Sequence, residues 1–187
     1  MKYYKKLVGD RIYLSPVNIE DAEKYVEWFC DFSMTDGVGR SSALMTVEME
    51  KEWIENALKN GHYSFAIVNA EKNELIGNCG LENINQTDRR GAVGIFIGRE
   101  ENRSQGYGSE ALRLLLDFGF RYLNLHNIML NVKSFNERAI ACYKKVGFKE
   151  FGRRRESYFL NGEYYDDVQM DILESEFEGD FIRNKNV

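Results

Sequence analysis

The chemistry in this sequence concentrates between Gly98 and Ala111. There an apolar run, Gly91–Ile97, gives way to Arg103-Ser104-Gln105-Gly106-Tyr107-Gly108 and then to strongly periodic helical sequence. A helix start carries unpaired N–H groups and the positive end of the helix dipole, and glycines let a ligand approach the backbone closely. The spacing predicts an anion site, with a phosphate-bearing cofactor as its natural occupant. Glycines that merely turn the chain into a helix remain an alternative when this stretch is read alone. Gly106-x-Gly108-x-x-Ala111 also fits the dinucleotide pattern, which requires an acidic residue about 20 positions on, at the end of the next strand. That strand ends Val132-Lys133-Ser134 here, so a nicotinamide cofactor does not fit. The Gly-Lys-Ser/Thr of a phosphate-binding NTPase loop is also missing.

Other reactive side chains give weaker signals. Cys142 has no positioned histidine base, so packing accounts for it better than a covalent acyl-enzyme does. His62 and His126 stand alone near element ends, where structural or solvent-facing roles outrank catalysis or metal binding. Cys30, Cys79 and Cys142 form no Cys-x-x-Cys pair, so no metal is expected, and they read as reduced thiols of a cytoplasmic protein. A net charge of −5, with Arg153-Arg154-Arg155 the one dense basic run, argues against nucleic acid and suits a cationic partner better. No stretch approaches the roughly 18 apolar residues that span a bilayer, and the N-terminus lacks an apolar signal core, so neither membrane insertion nor secretion is expected.

The elements that must position this chemistry follow from periodicity. Of 187 residues 43% are hydrophobic and 29% charged, with a single proline and no linker or repeat, which predicts one domain over 1–187, a core at about 11–173 and a tail at 174–187. Arg11–Leu14 reads as a strand. Asn18 caps a helix with Ala22, Tyr25, Val26 and Phe29 on its inner face, and a second helix follows Thr46 with Met49, Trp53 and Ala57 on its stripe. Asp31–Ser42 between them reads as a loop or irregular helix bordering a substrate site. Tyr63–Asn69, Leu75–Leu81 and Gly91–Ile97 predict an antiparallel meander. From about Ser109 to Tyr122 runs the clearest helix, with Arg113, Asp117 and Arg121 on its charged face. Strand Ile128–Val132 precedes a helix from Asn136 that carries Ala139, Tyr143 and Val146 on one side and ends at Gly147. Asn161-Gly162 marks a final hairpin. The order β-α-α-β-β-β-α-β-α-β-β predicts an α/β (α+β) fold, a mixed, mostly antiparallel central sheet flanked by helices.

Arg103-x-x-Gly106-x-Gly108 resembles the pyrophosphate loop of GNAT N-acetyltransferases. The segment from Asn131 through Asn136 to Phe148 resembles their second acetyl-CoA motif, and Gly77-Asn78-Cys79-Gly80-Leu81 the strand before the cofactor strand. The resemblance runs from about Arg11 to Leu173. Phe118–His126 and Asn161–Val168 look closest to the group of ribosomal-protein N-terminal acetyltransferases, related to spermidine and amino-sugar enzymes.

The resemblance implies the GNAT fold and transfer of acetyl from acetyl-CoA to a primary amine, a protein N-terminus or a small amine, in a ternary complex without metal. A polyamine or amino sugar is an alternative acceptor, a non-catalytic acyl-CoA sensor an alternative function, and a homodimer is open. It implies that the backbone of Ile95, Phe96 and Ile97 pairs with the pantetheine arm. Amides of Arg103, Ser104, Gln105, Gly106, Tyr107, Gly108 and Ser109 would surround the pyrophosphate, and Asn136 would bond the cofactor arm. Tyr143 would be the general acid, since a phenol with a pKa of about 10 keeps its proton at neutral pH. A carboxylate or water relay must receive the amine's proton, and Glu82 is the best-placed candidate.

Overall fold

Strand pairing in the computed structural model, which describes residues 2–60 and 62–184, builds one eight-stranded sheet. The elements are β1 (Leu7–Val8), β2 (Ile12–Pro16), α1 (Ala22–Phe29), α2 (Phe32–Thr35), α3 (Val47–Lys59), β3 (Tyr63–Asn69), β4 (Glu74–Asn85) and β5 (Arg90–Ile97). Then follow α4 (Tyr107–Arg121), β6 (Asn127–Lys133), α5 (Glu137–Val146), β7 (Lys149–Leu160) and β8 (Glu163–Leu173). The sheet order is β1-β2-β3-β4-β5-β6-β8-β7. The expected meander is present as β3–β4–β5, and the short β1 and α2 are added to the expected order.

The meander joins β6 through the sheet's parallel pair, and that pair is short. Arg90, Gly91 and Ala92 face Asn127, Ile128 and Met129, after which the two strands part. Beyond Ala92, β5 stays paired with β4 as far as Ile97 opposite Gly77, while β6 stays paired with β8 along its whole length. Each strand is therefore held on its outer side, and a cleft opens between them.

Helices cover both faces. Strand alternation sends Phe65, Cys79, Leu81 and Val93 toward α4, whose Leu112, Leu115 and Leu116 complete the larger core. Ala66, Val68 and Leu75 belong to a smaller core with Tyr25 and Trp28 of α1 and Ile54 of α3. Gly147 ends α5 at φ +117°, with the N–H groups of Gly147 and Phe148 both donating to the Tyr143 carbonyl, as expected of a glycine cap. Asn161 and Gly162, at φ +51° and +88°, form the left-handed pair of the β7–β8 hairpin.

Three expectations about helix faces need correction. In α1 the buried residues are Ala22, Tyr25 and Trp28, with Val26 and Phe29 half-buried; the Trp28 indole lies against Gly98, where even a Cβ would meet it at 2.2 Å. In α3 the inward stripe is Glu50, Ile54 and Ala57, which leaves Met49 and Trp53 50% and 42% exposed. Asp117 of α4 is not on a solvated face but fully buried. It makes the expected i,i+4 pair with Arg121 at 3.0 Å, and it also accepts the N–H groups of Phe181 and Ile182 at 2.9 and 3.0 Å. The segment after β8 thereby docks on α4, with Ile182 buried and the Arg183 N–H donating to the Val8 carbonyl.

Asp117→Ala leaves two enclosed N–H groups without their acceptor. It should lower unfolding stability by about 1–3 kcal/mol, read as a drop in urea midpoint at unchanged m-value. An unchanged midpoint would mean that this segment adds nothing to the fold.

Candidate active site

The loop from Arg99 into α4 turns on left-handed residues. Ser104 and Gly106 have φ of +60° and +86°, so successive N–H groups are directed together into an anion-binding concavity at the helix start. Among the described residues, the N–H groups of Ser104, Gln105 and Gly106 have no acceptor. The loop is braced from outside by Arg11, which donates to the Gln105 carbonyl at 2.9 Å and stacks over the Tyr107 ring. Glu110 in turn accepts the N–H groups of Asp10 and Arg11.

From inside, the brace is Arg103. Its guanidinium donates to the carbonyls of Ile97 and Gly98 at 3.2 and 2.6 Å and to Ser33 Oγ at 3.1 Å, which joins the end of β5 to α2. Burial, with a smaller push from Arg138, lowers its pKa from the ordinary guanidinium value. Its side chain is structural, and what it offers a ligand at this loop is backbone.

The cleft between β5 and β6 has a volume of about 1190 Å³. It gathers most of the residues singled out in the sequence. Ile95, Phe96 and Ile97 form one wall, and Arg103, Ser104, Gly106, Gly108 and Ser109 form the end at α4. Asn136, at the N-cap of α5, and Tyr143 within that helix line it, as does Glu82 of β4. The side chains of Gln105 and Tyr107 face a separate 280 Å³ cavity, where the Tyr107 hydroxyl accepts from Asn69. Asn136 Nδ2 donates to the Gly37 carbonyl at 3.0 Å and its Oδ1 caps α5 at Ala139 N, so its side chain holds the acceptor-side loop in place.

Tyr143 is half-buried, packs edge-on to Phe148 at 5.9 Å, and its hydroxyl has no hydrogen-bond partner among the described residues. Burial, with Cys142 adding to it, raises the phenol's pKa, so its proton is held until a strong base appears. Cys142 Sγ lies 3.3 Å from Ser109 Oγ, and no group of His, Cys, Asp and Glu able to hold a metal occurs among the described residues.

The other half of the cleft was not legible in the sequence. Tyr25, Phe29, Arg40, Glu50, Trp53 and Asn78 line it, from α1, the loop after α2, α3 and β4. Its floor is the pair Gly80 and Gly94, opposite each other in register, and a Cβ at Gly94 would meet nothing within 4 Å. Phe29, Arg40 and the Gly37 loop belong to, or pack on, the segment expected to border a substrate. Glu50 could have been found only by phasing α3 on Ile54 and Ala57 instead of on its larger apolar residues.

A mixed sheet splayed at its centre, with free N–H groups at the helix start beyond the splay, is the architecture of a CoA-dependent acyltransferase. The model of the acetyltransferase (GNAT) domain matches residues 11–149, and the chain belongs to that family. It is 35% identical over 130 residues to the spermidine N(1)-acetyltransferase of Vibrio cholerae, across 70% of this chain and 74% of that one. Over 184 residues it is 30% identical to a Bacillus subtilis protein named Probable N-acetyltransferase YjcK, across 92% and 99% of the two chains. The crystal structure of spermidine N-acetyltransferase from Vibrio cholerae in complex with CoA and spermine matches at a TM-score of 0.81 and 26% identity, covering 89% of this chain and 97% of that one. The protein is an acetyl-CoA-dependent N-acetyltransferase.

The residues present fit acetyl-CoA. The free N–H groups at 104–106 suit its pyrophosphate, and the edge of β5 that β6 leaves unpaired suits the amides of its pantetheine arm.

Two outcomes follow. At Gly108 an added Cβ meets only Ile97 and Cys142 at 3.9 and 4.0 Å, so Gly108→Val should fold yet lose acetyl-CoA binding. The wild type should gain about 2.7 kcal/mol of stability with acetyl-CoA at about 100 times Kd, and the variant none. Burial raises the Glu50 carboxyl pKa, opposed by Arg40, so the folded state holds that proton more tightly than the unfolded chain does. The stability it contributes is present below the carboxylate range and lost as pH rises through the raised pKa. Glu50→Gln should therefore melt higher than wild type at about pH 7 and equally at about pH 4. Equal melting at both values would refute the sign.

Proposed function

We infer that this enzyme acetylates a small cationic amine by direct attack in a ternary complex, with Tyr143 as the proton donor. The observation that carries this is the unpartnered Tyr143 hydroxyl on the cleft wall, next to the α4 end where free N–H groups collect. Acetyl-CoA, when bound, supplies an activated thioester. Tyr143 Oη delivers its proton to the sulfur as the carbon–sulfur bond breaks, and its raised pKa keeps that proton in place at neutral pH until then.

The small, cationic acceptor is supported by two things. One is the printed function of the Vibrio cholerae relative, a spermidine N(1)-acetyltransferase. The other is the pair of carboxylates, Glu50 and Glu82, on the cleft walls of a chain with net charge −5. Glu82 is exposed on β4, where a water can pass the departing amine proton to it. Three free cysteines and the acetyl-CoA donor support a cytoplasmic location. No helix among the described residues is long and apolar enough to cross a membrane.

Tyr143→Phe keeps the ring and its packing on Phe148. Turnover should fall at least about 10²-fold with acetyl-CoA affinity nearly constant, and unchanged turnover would make Tyr143 a core aromatic only. Glu82→Gln should flatten the acidic limb of the pH–rate profile; a limb that instead follows each acceptor's own pKa would show that solvent takes the proton.

A further inference from the structure

Glu50 is 96% buried by its neighbours, yet its carboxylate makes no hydrogen bond or ion pair among the described residues. Among the described residues, the side-chain polar atoms sealed from solvent without a partner are Asp21 Oδ2 and Trp28 Nε1, and the Glu50 oxygens are not among them because they open on the cleft. Arg40, whose charge acts on Glu50, does not reach ion-pairing distance and lies over the Phe29 ring, 5.9 Å from its centroid. A buried carboxylate without a partner is costly. The helix that carries it incurs that cost while leaving Met49 and Trp53 largely exposed, a phase that apolar burial alone would not choose.

The surroundings suit an organic cation. Phe29 and Trp53 line the same cleft as Glu50, Phe29 on α1 and Trp53 on α3, and aromatic faces attract ammonium groups. The cleft floor carries no side chain at Gly94, where an added Cβ would meet nothing within 4 Å, so the cleft is open above β5 at that point. The reacting nitrogen cannot be the one on Glu50. A carboxylate at contact distance holds an amine in its protonated form, and an ammonium has no lone pair to attack with. α3 also packs on α1, on the face of the sheet away from α4, whereas Tyr143 is on α5 and joins the core of the α4 face.

We propose that Glu50 is the specificity-determining residue of the acceptor half of the cleft, receiving a second, non-reacting ammonium so that the enzyme selects diamines over monoamines of equal length. The assignment rests on the N-acetyltransferase activity and on an amine acceptor.

Cadaverine and pentylamine differ by that second ammonium, and they are the probes. The experiment measures kcat/KM for both in the wild type, Glu50→Gln and Glu50→Asp, together with calorimetric binding of cadaverine to the CoA-loaded proteins. The wild type should prefer cadaverine by about tenfold or more, the worth of roughly one modest ion pair. Glu50→Gln should bring the ratio toward one, Glu50→Asp should restore part of it, and the KM for acetyl-CoA should hold in both variants as the check on folding. A preference that survives in Glu50→Gln, or a wild type without one, overturns the proposal. If neither amine is turned over, the small-amine reading fails by itself, and calorimetry still decides. Cadaverine binding that weakens about tenfold in Glu50→Gln upholds the role of Glu50, and binding that is equal or absent in both removes it.

Discussion

The parting of β5 from β6 after Ala92 is the constraint on which the rest of this enzyme depends. Inside a sheet every backbone N–H and C=O normally finds a partner, and leaving a run of them unpaired away from water is costly. Here the opening is affordable because β4 holds β5 through Ile97 and β6 is held by β8 through Lys133. The free edge is thus held in place, and its unpaired backbone groups suit a ligand that carries amides. Since α4 begins ten residues beyond the last residue of β5, the helix start and its free N–H groups fall at the end of the same opening.

Three side chains keep that geometry from relaxing. Arg103 ties the end of β5 to α2, Arg11 clamps the outer side of the loop, and Asn136 fixes the Gly37 loop while it caps α5. Each donates to at least one backbone carbonyl, that of Gly98, Gln105 or Gly37. Preorganisation of this kind means that ligand binding need not order the loop, and the free energy of binding is not drawn down to do so. It also explains why residues of the cofactor motif can be essential to the site without their side chains reaching the ligand.

The two halves of the cleft use burial differently. On the α5 side burial keeps the Tyr143 phenol protonated at neutral pH. On the α3 side burial destabilises a carboxylate that the free protein leaves unpaired. Strain of this sort persists only where the surrounding structure over-determines it. Here Ile54 and Ala57, both buried, fix the phase of α3 and carry Glu50 inward with them.

The sequence by itself determined most of the elements and the stretch at the α4 start that lines the cleft. Local rules suffice there: a left-handed Gly106 before a helix, Gly147 after one, the Asn161-Gly162 hairpin and the alternation of the meander all act within a few residues. Ser104, Gly106, Gly108 and Tyr143 were legible for the same reason, since the features that matter lie in one continuous stretch or one helix turn. Only the tertiary structure decided which way α3 faces, that Asp117 is enclosed by the segment after β8, and that Asn136 serves a loop 99 residues away. The acceptor half is built from α1, α3, β4 and the loop after α2, so its chemistry exists only once the sheet brings them together. Amphipathic patterning misplaced the α3 stripe because it ranks residues by their own hydrophobicity. Which way the helix faces is set by how its residues pack against other elements, and here buried Ile54 and Ala57 turn Glu50 inward and leave Trp53 half-exposed.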